Sequence, residues 1–324
     1  MHTIPSQLQH GPFTRADAAR AGVTSRMLQG RRFVRLHHCV WRVTSYNMTE
    51  DDWITAARLA LPPAAHLTGL TRLQQLGLDF GPRRPIRFVV QGDLHLDLDG
   101  VFLHRTRQLA PTDEVGVTVA AAYLSYCAHA RVIDAIKVGD WLLHGGHTTV
   151  DEIHALALSG LWRHGADEAL WILEHLDVRS RSLMESELRP ILTFAGLPKP
   201  EVNVAVPVGE DITLIGDLVY RAWLTVVEYE GSHHQEDRLQ YNADLDRYAL
   251  FRSADQQYVQ VTKERIARPK ILVGEVYRTL LKGGYDGPPP TFETQWQLLF
   301  RSVSVAVGPR RDRIRRSAPR GAVS

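Results

Sequence analysis

Two runs of branched apolar residues, each carrying an acid and separated by only three residues, most narrow what this chain can fold into. Leu214 through Tyr220 reads as one strand and Leu224 through Glu230 as the next, joined by Arg221-Ala222-Trp223. In the second run Leu224, Val226, Glu228 and Glu230 lie two apart, so their side chains leave from one face. If the turn centres between Ala222 and Trp223, Asp217 lies directly opposite Glu228, with Cβ atoms roughly 5 Å apart. Carboxylates that close, set among Val and Leu, repel each other unless a cation lies between them. A divalent ion with oxygen ligands answers the problem, and Mg²⁺ (or Mn²⁺) is the expectation. The alternative is two solvated acids on an edge hairpin, which the apolar neighbours disfavour.

The flanking sequence supplies a small α/β frame. Ser182-Leu183-Met184-Glu185 has the spacing of a capping box, so Glu185 serves either the helix start or the acid site. Pro190 predicts a kink in that helix and Gly196 its end. Val202, Val204 and Val206 alternate as a strand. Residues 236–253 read as a polar helix with Gln240, Asp244 and Arg247 on one face. Tyr258–Val261 reads as a further strand, and a closing helix, Glu264–Leu281, is interrupted at Pro269.

The ordered run Met184-Glu185-Ser186-Glu187-Leu188-Arg189 … Asp217 … Glu228-Tyr229-Glu230-Gly231-Ser232-His233-His234 … Asp244 … Arg247 resembles the PD-(D/E)XK nuclease superfamily. The likeness is to its branch related to very-short-patch-repair endonucleases. It implies a restriction-endonuclease-like α/β core with a mixed sheet, and hydrolysis of DNA phosphodiesters. Carried over, Asp217 and Glu228 are metal ligands and the Tyr229 carbonyl completes the site. Glu185 matches the helix carboxylate and His234 the histidine after the acidic pair. Two positions beyond Glu228, where many members carry Lys, this chain has Glu230. Glu230 or Glu185 is then the proton acceptor, and Arg247, Gln240 or His234 stands where a positive group is needed.

A second informative stretch is 11–44. Thr14 is a plausible N-cap for a helix Arg15–Ala21, closed at Gly22, and Thr24 for a second helix from Ser25 to about Gln29. Val34–Val43 follows as a β-wing, which gives a winged helix-turn-helix layout. The stretch holds seven arginines against Asp17 alone, the electrostatic footprint of a phosphate-binding surface. Phe13-Thr14-Arg15-Ala16 … Ala21-Gly22-Val23 … Arg31-Arg32-Phe33-Val34-Arg35-Leu36 … Val40-Trp41-Arg42-Val43 is similar to the winged-helix N-terminus of AbiEi-type antitoxins. The resemblance implies DNA binding, with Arg26, Arg31, Arg32 and Arg35 as its contacts and a cognate toxin as a possible partner. A helical cap with merely solvated arginines is the plainer reading.

Charge is uneven elsewhere. Of 38 basic and 36 acidic side chains, six arginines (Arg310, Arg311, Arg313, Arg315, Arg316, Arg320) and Asp312 fall in 308–324, leaving 32 against 35 for the rest. The sequence has no apolar run near the roughly 20 residues of a membrane span, and Met1–Ser6 opens no secretory signal. Cys39 and Cys127 stand apart without CxxC spacing, which argues against structural zinc and for a reducing cytoplasm.

Between these modules, 49–78 has helical periodicity, including His66, while Arg87–Val90 and Leu94–Leu98 read as strands, with Asp99-Gly100 as a hairpin turn into Val101–His104. His95, Asp97 and His104 cluster there as exposed alternating positions. Residues 117–177 read as helical throughout, with a capping box at Thr149-x-x-Glu152. The expected organisation is a multi-domain α/β chain: winged helix-turn-helix over 1–48, an α+β then helical region over 49–178, a nuclease-like domain over 179–284, and a Pro-rich linker with a basic tail over 285–324. The functional expectation is a metal-dependent DNA endonuclease, with DNA and a toxin or repair and defence partner as candidates for association. The alternative is an antitoxin-like transcriptional regulator whose nuclease-like domain is inert and binds DNA or a partner.

Overall fold

The computed structural model describes residues 3–230 and 249–308. The chain divides into two compact units, 1–123 and 124–324. Helices combine with antiparallel and mixed sheets in a multi-domain α/β architecture.

The first unit opens with β1 (Phe13–Thr14), α1 (Arg15–Arg20), α2 (Ser25–Leu28), β2 (Phe33–His37) and β3 (Val40–Val43). Thr14 caps α1 through a full capping box with Asp17, and the Thr24 hydroxyl accepts the Met27 N–H at the start of α2. These short helices are held less by propensity than by burial. Leu8, Phe13, Ala18, Val23, Leu28, Phe33 and Val43 form one apolar cluster beneath them. The strands pair antiparallel in the order β1-β3-β2.

The unit continues with α3 (Glu50–Ala60), β4 (His66–Leu67), α4 (Gly69–Gln74), β5 (Ile86–Gln91) and β6 (Val101–Thr106). Two expectations change here. His66 lies in a strand, pairing with Val89 rather than continuing a helix. Leu94–Leu98 forms no strand: β6 pairs in parallel with β5, and Asp99-Gly100 turns the chain through a single Leu98–Val101 bridge. Leu94 and Leu96 join no ladder, and both stay exposed.

In α5 (Val119–Cys127), α6 (Val132–His144), α7 (Val150–Leu158) and α8 (Ala166–Leu173) the helical reading of 117–177 holds, and Thr149 with Glu152 closes the predicted capping box. There follow α9 (Glu185–Phe194), β7 (Glu201–Pro207), β8 (Thr213–Tyr220), β9 (Thr225–Tyr229) and β10 (Gln257–Val261). The last elements among the described residues are α10 (Lys263–Ile266), α11 (Pro269–Lys282), α12 (Thr294–Leu298) and α13 (Val303–Val307). The strands make one mixed sheet, β10-β9-β8-β7, in which only the β9–β10 pair is parallel.

Two ion pairs, one of them fully buried, lock α9 against α6. Arg189 donates to Asp140 at 2.6 Å, both almost fully buried at 3% and 0% exposed, and Lys137 pairs with Glu187. The pocket of Asp140 is completed by the Asp177 backbone N–H at 2.8 Å. Burial pushes the Asp140 carboxyl up, against the lowering pull of Arg189. On the sheet, Val206, Val208, Val219 and Val226 pack against Phe251 from a helical turn at 249–253. Among the described residues no helix is long and apolar enough to cross a membrane.

Candidate functional site

The β8–β9 register is Leu218↔Val227, Val219↔Val226 and Tyr220↔Thr225. This is the register that a turn between Ala222 and Trp223 demands. Continuing it one step places Asp217 opposite Glu228. The turn itself is tighter than a strand continuation: Arg221–Trp223 forms a short 3₁₀ helix and Leu224 takes a left-handed φ of 45°. Leu224 is therefore outside β9 and 47% exposed, so it does not share the face of Val226 and Glu228 as expected.

At the step where ladder pairing stops, side-chain chemistry takes over. The Asp217 carboxylate accepts the Tyr229 backbone N–H at 2.9 Å. The pleat also breaks here. A Cβ on Gly216 would meet Val219 Cγ2 at 2.7 Å and Val226 Cγ1 at 3.0 Å, although residues three apart in a regular strand point to opposite faces. Across the ladder, the β7–β8 register runs Val202↔Leu218 and Val204↔Gly216, which sets Asn203 beside Asp217. Asn203 has φ 48°, a left-handed conformation that Asn tolerates better than most residues. Gln260 of β10 pairs with Glu228. Continued through the gaps in the ladders, these registers align Asn203, Asp217, Glu228 and Gln260 in one row, in which Glu228–Gln260 is a paired step.

Glu228 is buried, at 7% exposed, and accepts the Tyr258 hydroxyl at 3.1 Å. Glu230 lies just past β9 but stays tied to β10, its N–H on the Val261 carbonyl at 2.8 Å and its carboxylate accepting from the Gln260 amide. Burial, with Glu264 and Glu187 nearby, pushes the Tyr229 phenol up. Tyr229 is relevant to an ion through its carbonyl rather than its ring.

Glu185 resolves toward the helix start. Its Oε2 accepts the Arg181 N–H at 2.9 Å and the Asn203 amide at 2.6 Å. The expected capping box is half made: the Ser182 hydroxyl accepts the Glu185 N–H at 3.1 Å, but Glu185 reaches back to Arg181 instead of Ser182. The helix correspondingly begins at Glu185, with Met184 at its cap. Among the described residues no group of three or more His, Cys, Asp or Glu side chains is placed to hold a metal. A cation here would draw on Asp217, Glu228 and the Tyr229 carbonyl, and that donor set fits Mg²⁺, which commonly takes one or two carboxylates and keeps water. His234 and Arg247, with Gln240 and Asp244, lie outside the described residues.

In the first unit the arginines divide by role. Arg42 donates to the carbonyls of Val43, Thr44 and Tyr46, at 3.0, 3.0 and 2.7 Å, and braces the chain after β3. Arg20 is paired with Asp17. Arg26, Arg31 and Arg35 are exposed and Arg32 half-buried. Arg35 turns back onto the His37 carbonyl at 3.2 Å. It shares a hollow of about 390 Å³ with Arg15, Ser25, Gln29 and Trp41. Arg15, one of the seven arginines of 11–44, donates to the Ser25 hydroxyl at 3.0 Å; its place beside Arg35 carries no local signal in the sequence. Tyr258, Gln260 and Asn203 were missed for a related reason: strand neighbours far apart in sequence carry no local signal.

Compared with known proteins, the chain matches no family model and no curated protein sequence.

Proposed function

We propose that this chain is a metal-dependent DNA endonuclease with a separate DNA-binding module. The observation that carries the reading is the β8–β9 register, Leu218↔Val227 to Tyr220↔Thr225, whose continuation sets Asp217 opposite Glu228 where the ladder ends and the Asp217 carboxylate takes the Tyr229 N–H. Element order supports it too: helix α9, antiparallel β7-β8-β9, a helical turn at 249–253, then β10 parallel to β9. The PD-(D/E)XK resemblance implies a helix and a mixed sheet around an acidic pair. At the N-terminus, two short capped helices followed by a β-hairpin, with Arg26, Arg31 and Arg35 exposed, support a winged helix-turn-helix bound to phosphates.

Asp217, Glu228 and the Tyr229 carbonyl would hold Mg²⁺ or Mn²⁺. When bound, such an ion lowers the pKa of a coordinated water and offsets phosphate charge. Glu230 accepts the proton of the attacking water as its oxygen bonds to phosphorus and the 3′ or 5′ oxygen leaves. Glu185 is occupied by Arg181 and Asn203 and supports the strand geometry instead. Glu230 in the position where relatives of the resembled family carry Lys favours one second reading. In it the chain is an antitoxin-like regulator whose acidic domain binds DNA or a protein partner without cutting.

The test is supercoiled plasmid incubated with the full-length protein and Mg²⁺ or Mn²⁺, beside Asp217→Ala and Glu228→Ala. Nicking or linearisation lost in both variants supports the enzyme. A gel shift without cleavage by the wild type overturns it in favour of the regulator.

A further inference from the structure

Strand β10 makes the same contact twice. Tyr258 pairs across the ladder with Val226 but bonds Glu228, and Gln260 pairs with Glu228 but bonds Glu230. Each donor therefore reaches diagonally to a carboxylate two residues further along β9. Donors two apart on one strand meet acids two apart on its neighbour, and alternation keeps each set on one face. Parallel pairing makes the repeat possible, because both strands advance in the same direction. The ring of Tyr258 is set by Phe251, with centroids 5.7 Å apart, and the strand beyond Gln260 is held by Arg265, which donates to the Gln260 carbonyl at 2.7 Å and to Glu275 at 2.9 Å.

We infer that Tyr258 and Gln260 are positioning residues for the two β9 glutamates, Tyr258 aiming Glu228 at the cation and Gln260 aiming Glu230 at the water. This rests on the endonuclease reading and deepens it. The two acids repel each other across one strand face, and each donor holds its carboxylate in one orientation. A neutral donor on each fixes orientation without cancelling the charge that a cation or a proton needs. The division of labour follows from position: Glu228 is buried in β9, one step beyond the Leu218–Val227 pair, whereas Glu230 lies past the end of the strand, with its Gln260 partner exposed.

The experiment titrates Mn²⁺ into the full-length protein by calorimetry or by the loss of the free-ion electron paramagnetic signal, beside plasmid cleavage. Tyr258→Phe keeps the ring on Phe251 and removes only the hydroxyl. It should weaken Mn²⁺ binding roughly 10–100-fold, as loss of a partner to a metal ligand does, with turnover at saturating metal changed little. Gln260→Leu alters an exposed side chain. It should leave Mn²⁺ affinity at the wild-type value and lower turnover by up to about 100-fold, and Gln260→Glu, which sets like charge against Glu230, should lower it at least as far. Tyr258→Phe with wild-type Mn²⁺ affinity, or Gln260→Leu with wild-type turnover, overturns the assignment. A wild type that binds no Mn²⁺ instead removes the acid site itself, and this inference with it.

Discussion

Asp217 accepts the backbone N–H of Tyr229 at 2.9 Å, so a carboxylate completes the ladder where main-chain pairing between β8 and β9 ends. The side chain thereby has two separable jobs, satisfying a backbone donor and carrying charge. Asp217→Asn retains an acceptor oxygen and should hold stability within roughly 1 kcal/mol, while abolishing Mn²⁺ binding. Asp217→Leu strands the Tyr229 N–H and should cost a further 1–3 kcal/mol or so. Urea denaturation of the two variants separates the roles, and equal losses from both would contradict this division.

Arg189 and Asp140 form a pair excluded from water, at 3% and 0% exposed. Arg189 also donates to the His175 carbonyl at 2.7 Å. Removing one partner leaves an uncompensated interior charge, so Arg189→Met should destabilise the second unit by about 3–5 kcal/mol. The double variant Asp140→Leu with Arg189→Met should recover most of that loss. A double variant no better than the single would show that packing, not charge, decides the outcome. Denaturant midpoints of all three proteins provide the comparison.

The start of α1 should respond to acid. Hydrogen bonds from the Thr14 side chain and backbone, with help from Arg20, hold the Asp17 carboxyl below its ordinary value. A depressed folded-state value means the contribution is fully present above the ordinary carboxylate pKa and is lost as pH falls through the lower, folded one. Thr14→Ala should cost about 1 kcal/mol at neutral pH. The stability gap between wild type and Asp17→Ala should shrink on acidification toward about pH 3. A gap independent of pH would mean that Asp17 acts by shape alone.

If the hairpin and α2 lie on DNA, Arg31→Ala with Arg32→Ala should weaken binding to unrelated duplexes alike. It should also flatten the plot of log affinity against log salt by about one unit for each phosphate contact removed. Fluorescence anisotropy across a salt series measures both. An unchanged slope would take these residues off the phosphate backbone. Arg42→Ala should act otherwise, lowering stability because its guanidinium braces three carbonyls.

What the sequence could reveal was local. Thr14 and Thr149 announced their helices through capping chemistry confined to four residues, and the β8–β9 register, Leu218↔Val227 to Tyr220↔Thr225, followed from the length of one connection. The reading failed where partners were distant. Leu94–Leu98 alternates like a strand, yet β6 pairs in parallel with β5 and the segment itself makes a single bridge, Leu98 to Val101. Glu185 was undecided because its choice depends on Asn203, whose left-handed backbone turns the amide toward it from β7. Tyr258 and Gln260 were unremarkable until parallel pairing set them beside the glutamates thirty residues earlier.

The endonuclease reading stands or falls on whether Asp217 and Glu228 share one ion. Its most direct test is anomalous scattering from crystals of the full-length protein soaked in Mn²⁺. A shared ion gives a peak within bonding distance of both carboxylates and the Tyr229 carbonyl, absent in Glu228→Gln. A density map with those oxygens ordered and no manganese between them would contradict it.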